Sequence, residues 1–203
     1  MALLTVVAVF GVLMLLPRGA PATIAEQRAR LPPPAHCEDE VEGIWRSHSY
    51  WKNHGQWYLF TMEVHRVKGD PNRLTGTIVS HYWNGGPNDE EPPRCSPGGY
   101  RQIVRMPGAG SIVNGVVTFG GTSWTLERTF CGPPTAMYYP DNFSGRIDPD
   151  LQEFQSLNND GGPAVNVPQV FRRIRCLDPD SQPHIAVTPP AYEPPGHSAC
   201  SWL

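Results

Sequence analysis

The chain has 203 residues and a formal net charge of −3, with 16 basic and 19 acidic side chains. The sequence has no long run of basic residues of the kind found in proteins that bind nucleic acid, so we expect no nucleic-acid partner. Twenty glycines and 23 prolines argue against long helices and favour short strands joined by tight turns, which predicts a single all-β domain.

Residues 1–25 have the pattern of a signal peptide. They are apolar from Ala2 to Leu16, and small residues suited to cleavage follow Pro17. The apolar run is shorter than the roughly 20 residues of a membrane span. No Lys or Arg precedes it, so an uncleaved anchor is the alternative. We expect a secreted or periplasmic protein that contacts a membrane only if this segment is retained.

Residues 26–40 form a polar, proline-bearing linker, and residues 41–176 carry a series of predicted strands separated by turn-forming residues. No amphipathic helix interrupts the series. Regular spacing of this kind predicts an antiparallel meander closed into a barrel of eight to ten strands. The predicted strands are 43–51, 56–68, 73–83, 100–106, 111–113, 115–119, 122–130, 142–148, 151–157 and 168–176.

Two long loops and a tail complete the predicted organisation. The polar loop 84–99 is the best candidate for a mobile lid or binding loop, and a second proline-bearing loop spans 132–141. Residues 177–203 form a proline-rich tail that we expect to be extended or disordered. It contains Cys200 in a terminal "CSWL", which fits a prenylation box only formally, because a cytosolic modification contradicts an export signal.

The other four cysteines are disulfide candidates in an exported protein. Cys37 precedes the first strand and Cys176 follows the last, so a bond between them would join the two ends of the domain. Cys95 and Cys131 are the second expected pair, although sequence alone does not fix the connectivity. Asn142 begins an Asn-x-Ser sequon and is a glycosylation candidate if a eukaryotic host exports the protein.

No pattern of catalytic residues stands out. Glu63, His65 and His81 on neighbouring strands could form a metal patch, but a solvated outer face explains them without a metal, so we expect no metal and no cofactor. The chain has no G-x-S-x-G motif, and its Asp-Pro pairs are typical of turns. We therefore assign no catalytic residue, and an enzyme is less well supported than a binding protein.

Gly43 and Trp45 at the start of the first predicted strand form a G-x-W motif, and "VFRRIRC" closes the last strand. This combination resembles the lipocalins and related calycins. The resemblance implies an eight-stranded barrel in which Trp45 closes the floor and Arg172 or Arg173 covers it by a cation–π contact. The T-D-Y-x-x-Y element and the C-terminal helix usual in lipocalins are missing.

The lipocalin resemblance also implies a small hydrophobic or amphipathic ligand inside the barrel. The alternating strand after Trp57 turns four side chains to one face, which makes them the candidate pocket: Tyr58, Phe60, Met62 and Val64. One alternative is a filled core in a structural or protein-interaction domain. Another is a carbohydrate-binding β-sandwich with Trp51 and Trp83 as an exposed platform. The sequence does not indicate an oligomeric state.

Overall fold

A computed structural model describes residues 23–95 and 98–178 of the protein. Nearly all of the predicted proline-rich tail and of the predicted leader lies outside these residues. The described elements are the helix α1 (Ile24–Ala29) and the strands β1 (Gly43–Trp51), β2 (Gln56–Val67), β3 (Asp70–Asn84), β4 (Arg101–Val113), β5 (Val116–Gly121), β6 (Thr125–Cys131), β7 (Asn142–Asp148), β8 (Glu153–Asn158) and β9 (Val167–Arg175).

The strands form one antiparallel sheet that closes on itself. Its order is β3-β2-β1-β9-β8-β7-β5-β4, and β4 pairs back with β3 over 11 residue pairs, which completes an eight-stranded barrel. The remaining strand, β6, pairs with the first half of β4 beside β5. The predicted all-β barrel is confirmed, and β1 and β7 have the predicted ends.

β4 is one continuous strand, and its predicted division into 100–106 and 111–113 was wrong, because proline and glycine at positions 107–110 indicated a turn. Pro107 lies at the point along β4 where the pairing with β6 ends and the pairing with β5 begins. Its carbonyl accepts a hydrogen bond from the Thr122 backbone N–H. The backbone nitrogen of this proline faces the gap between β6 and β5, so the absence of an N–H there costs no hydrogen bond between strands. At Gly108 a Cβ would lie 2.5 Å from the Phe119 ring, so glycine lets this ring fill the core.

Aromatic and aliphatic side chains pack together inside the barrel. Phe60, Phe143 and Phe171 meet at its centre, with the Phe143 and Phe171 rings 4.7 Å apart in an edge-to-face arrangement. Phe60 and its strand neighbours Met62 and Val64 are buried in this cluster. The alternation along β2 places them there, because every second side chain of a strand points to the same face.

The segment before β1 packs against the outside of the barrel. Its helix α1 begins with a capping box between Thr23 and Glu26. The buried Gln27 then bridges two backbone groups of β9, donating to the Pro168 carbonyl and accepting from the Val170 N–H, both at 2.9 Å. The predicted linker 26–40 thus begins within the short helix α1, which packs against β9. None of the helices within 23–95 and 98–178 is long and apolar enough to span a membrane.

Two disulfides have the predicted pairing. Cys37 bonds to Cys176 across 139 residues, and Cys95 bonds to Cys131 across 36, each with its Cα atoms 5.5 Å apart. The first bond joins the entry and exit of the barrel. The second fastens the segment after β3 to the end of β6. Cys200 lies outside the described residues.

Candidate functional site

One end of the barrel is closed by a stacked Arg–Trp pair. The guanidinium carbon of Arg173 lies 4.9 Å from the centre of the Trp45 ring, and the Trp45 indole N–H donates to the Val41 carbonyl at 2.9 Å. A Cβ on Gly43 would lie 2.7 Å from the Arg173 side chain, so this position needs glycine. Hydrogen bonds from Arg173 to Gln152 and to the Glu42 carbonyl complete the floor.

The neighbouring Arg172 has a different position. It faces outward, contacts the carbonyls of Leu31 and Pro32, and pairs with Glu153 at 2.5 Å. Glu153 is buried and also receives the Arg28 guanidinium from α1 at 2.7 Å. Of the two arginines named from sequence, Arg173 therefore contacts Trp45, and Arg172 ties the N-terminal segment to the wall of the barrel.

A cavity of about 780 Å³ lies at the opposite end, the mouth of the barrel. The ends of β1 and β3, the start of β2, residues 98–100 and the β6–β7 and β8–β9 loops line it. Of the four residues predicted to form a pocket, Tyr58 lines this cavity. Phe60, Met62 and Val64 lie in the packed interior below. A ligand in the cavity would therefore rest on the core and contact the loops.

Six aromatic side chains provide most of the cavity wall. The Trp51 and Tyr58 rings are 4.6 Å apart, and Tyr58 stacks on Tyr82 at 5.7 Å. This continuous surface gives the cavity rigid apolar walls. The six residues are Trp51, Tyr58, Tyr82, Tyr100, Tyr138 and Tyr139.

A buried glutamine organises two of these tyrosines. The Gln102 side-chain oxygen accepts hydrogen bonds from the Tyr82 hydroxyl at 3.0 Å and the Tyr100 hydroxyl at 3.1 Å, and its amide donates to the Pro133 carbonyl. Gln102 points inward from β4 and is fully buried. It thus connects the rings on the strands to the β6–β7 loop and fixes the orientation of both phenols.

Asp141 is a buried carboxyl group among the residues that line the cavity. It is 3% exposed and accepts hydrogen bonds from the Tyr138 hydroxyl at 2.5 Å and the Asn158 side-chain amide at 2.6 Å. Burial raises the pKa of this carboxyl from 3.8 to about 7, against the two hydrogen bonds, which lower it. Burial and the charge of Asp141 also raise the pKa of Tyr58. Near neutral pH, Asp141 therefore changes its charge in response to small changes in its surroundings.

The wall of the cavity also holds an unused hydrogen-bond donor. The Trp51 indole nitrogen is buried and has no hydrogen-bond partner within residues 23–95 and 98–178. A buried donor without a partner costs on the order of 1–3 kcal/mol.

The predicted binding loop 84–99 has two different parts. Residues 85–95 cover a pair of stacked tryptophans on the outer face of the sheet, where Trp57 donates to the Gly86 carbonyl and Trp83 to the Asp89 carbonyl. The described residues that follow, Gly98 to Tyr100, line the cavity instead. The loop 132–141 lines it as well, so the mouth is formed by parts of both predicted loops.

Two interpretations considered from the sequence do not fit these positions. The closed barrel is not a β-sandwich, and Trp83 is fully buried, so it cannot form an exposed platform with Trp51. In the proposed metal patch, His81 pairs with Leu59 on β2 rather than with Glu63, and it accepts a hydrogen bond from Arg101. The described residues contain no group of three side chains suited to a metal.

Asp141 and Tyr138 were missed by the sequence analysis because no motif surrounds them. The signal was the "MYYPDN" segment, which was interpreted only as a proline-bearing loop. Asn142, at the end of the same segment, is exposed at the start of β7, and its glycosylation stays a prediction. Comparisons with family models, curated proteins and solved structures found no match to this chain.

Proposed function

We propose that the protein is an exported, lipocalin-like carrier that binds a small amphipathic ligand in the cavity at the mouth of its barrel. The cavity itself carries the proposal. Its volume of about 780 Å³ lies within the range of small-molecule sites, and its aromatic wall carries polar groups that could orient a ligand. The closed barrel is compatible with lipocalin-like architecture.

Export is supported by the two disulfides, because such bonds persist mainly in oxidising compartments. The predicted signal peptide agrees with this but lies mostly outside the described residues. The packed lower interior, with Phe60, Phe143 and Phe171 in contact, favours the alternative of a non-enzymatic interaction domain. The cavity above that interior makes ligand binding the better proposal.

The proposal can be tested with N-phenyl-1-naphthylamine, an apolar dye whose fluorescence rises in a dry environment. We expect saturable binding of one dye per chain. Asn84→Trp should weaken binding by about tenfold or more, because Asn84 is exposed, lines the cavity and can carry a larger side chain that fills the mouth.

The matched control is Val113→Trp, which adds the same aromatic group at the other end of β4, where Val113 is 61% exposed. This variant should bind the dye as the unmodified protein does. Non-saturable binding, or equal loss in both variants, would contradict a site at the mouth.

A further inference from the structure

Four of the five tyrosine hydroxyls that line the cavity already donate their protons to protein groups. The Tyr58 hydroxyl donates to the Gln56 side chain at 2.8 Å, the Tyr82 and Tyr100 hydroxyls to Gln102, and the Tyr138 hydroxyl to Asp141. These four phenolic protons are thus engaged with the protein. A phenolic oxygen can also accept hydrogen bonds, so a ligand that donates them is the complement of these hydroxyls.

The charge of the cavity is also one-sided. Asp141 and Asp160 both line it, and no Lys, Arg or His does so in the part of the chain that the structure describes. The Asp141 oxygens accept side-chain hydrogen bonds from Asn158 and Tyr138, and a carboxylate can accept about four hydrogen bonds in all. An anionic ligand would meet like charge here, whereas a cation would meet an acceptor with unused capacity.

The aromatic wall favours the same ligand. A cation within about 6 Å of a ring centre is attracted to the ring face, and the attraction is stronger where water is excluded. Tyr58 and Tyr82 stack at 5.7 Å, Tyr82 and Tyr138 lie 5.9 Å apart, and the Tyr138 hydroxyl donates to Asp141, so this ring cluster adjoins the carboxylate. Aromatic faces beside a carboxylate are a common arrangement for binding an ammonium group.

We propose, building on the ligand site proposed above, that the cavity selects organic cations and binds a protonated amine between the Asp141 carboxylate and the faces of Tyr58, Tyr82 and Tyr138. The apolar part of the ligand lies against Trp51 and Tyr100. The ligand class is thus an amphipathic amine rather than a fatty acid or another anion.

Three matched compounds test this selectivity by calorimetric titration of the full chain: 2-(1-naphthyl)ethylamine, 2-(1-naphthyl)ethanol and 3-(1-naphthyl)propanoate. They share the same ring and linker and differ in the charge of the end group. At about pH 8 we expect the ammonium to bind at least about tenfold more tightly than the alcohol, and the carboxylate at least about tenfold more weakly.

The variant Asp141→Asn should reduce the preference for the ammonium over the alcohol to within about threefold. The control Glu38→Gln removes an exposed carboxyl outside the cavity and should leave the preference unchanged. Persistence of the full preference in Asp141→Asn would overturn the role of this carboxylate.

A measurement on the unmodified protein does not depend on the folding of that variant. Lowering the pH to about 5 protonates Asp141 and should narrow the ammonium preference, while the alcohol affinity stays constant. The titratable groups that face Asp141 are Tyr138 from its own loop, Tyr58 from β2 and Asp160 from the β8–β9 loop.

The outcomes separate the two proposals. Dye binding at the mouth without an ammonium preference would overturn the selectivity for cations and leave the ligand site standing. Equal affinity for the ammonium and the carboxylate would likewise overturn the selectivity for cations and leave the ligand site standing. Absence of binding by the dye and by all three compounds would overturn both proposals.

Discussion

Asp141 is held in a position that opposes its ionisation. The fold buries it and supplies Tyr138 and Asn158 as donors, but no cationic partner is among the causes of its pKa shift. Because the pKa of the folded state, about 7, lies above the usual 3.8, the folded state holds its proton more tightly than the unfolded state does. Its contribution to the free energy of unfolding is therefore largest below about pH 4 and is lost as the pH rises through 7.

This linkage gives the first prediction. The difference in unfolding free energy between the unmodified protein and Asp141→Asn should change between pH 4 and 8 by up to about 4 kcal/mol, with the unmodified protein losing stability as the pH rises. Denaturant titrations at several pH values measure it. Comparison with the variant removes the opposite contribution of His48, whose pKa burial lowers to about 4. A constant difference across this range would contradict the raised pKa.

Arg173 makes contacts that a lysine cannot reproduce. It is 1% exposed, covers the Trp45 ring and donates to Gln152 and to two backbone carbonyls. Burial lowers its pKa, yet the planar guanidinium keeps several donors in fixed directions. The floor of the barrel therefore depends on the shape of this side chain as well as on its charge.

The second prediction is that Arg173→Lys lowers the free energy of unfolding by about 2–4 kcal/mol, because buried hydrogen-bond acceptors lose their donors. Chemical denaturation measures the loss. Arg105→Lys is the control, since Arg105 pairs with Glu127 at the surface and the change there should cost less than about 1 kcal/mol. If the two substitutions lower the free energy of unfolding by similar amounts, the contacts of Arg173 at the floor contribute no more than a surface ion pair does.

At the scale of elements, the N-terminal segment behaves as part of the barrel wall. Gln27 pairs with β9 as a neighbouring strand would, and Arg28 and Arg172 share the buried carboxylate of Glu153. These contacts cover the outer face of β9. Because Cys37 and Cys176 are bonded beside them, the segment is held at both of its ends.

The third prediction concerns this docking. Gln27→Ala should lower the free energy of unfolding by about 1–3 kcal/mol, because it leaves the buried Val170 N–H without its acceptor. Gln155→Ala, on the exposed face of β8, should change it by less than about 0.5 kcal/mol. Hydrogen exchange at the Val170 amide gives a local measure, and unchanged protection in Gln27→Ala would count against the docking.

The strands were predictable from sequence because polar and apolar residues alternate and glycine or proline marks most turns. This rule failed at positions 107–110. There the proline and the glycines lie inside a strand, where they allow close packing and a change of the paired strand. It also missed α1, which is six residues long and depends on contacts with β9. Short helices held by tertiary contacts leave little periodicity to detect.

The candidate site was predictable only in part. Tyr58 could be placed on the inner face by alternation, but the depth at which the core ends depends on how Phe143 and Phe171 meet Phe60 across the barrel. Asp141 reaches the cavity through closure of the barrel, from a loop far along the chain. The burial of a single carboxyl has no sequence signature, so its raised pKa could not be expected.

At the scale of the whole molecule, the two disulfides constrain chain segments of very different length. The Cys37–Cys176 bond closes 139 residues and the Cys95–Cys131 bond closes 36. On chain entropy alone these closures are worth roughly 5 and roughly 4 kcal/mol. The bond that joins the ends of the barrel should therefore contribute more to stability.

The fourth prediction compares variants that all carry Cys200→Ser, which removes the remaining thiol. Replacing Cys37 and Cys176 by serine should lower the free energy of unfolding by about 1 kcal/mol more than replacing Cys95 and Cys131. Denaturant unfolding of the two variants decides the order. The reverse order would show that local contacts at the mouth outweigh chain entropy.

The central claim is that the mouth cavity is the ligand site of this barrel, and amide chemical shifts test it most directly. Titration of ¹⁵N-labelled protein with 2-(1-naphthyl)ethylamine should move the signals of Tyr58, Tyr100, Tyr138 and Asp141, which line the cavity, and leave those of Trp45 and Arg173 at the floor in place. Shifts confined to the outer face around Trp57 and Trp83, or no shifts at all, would contradict the claim.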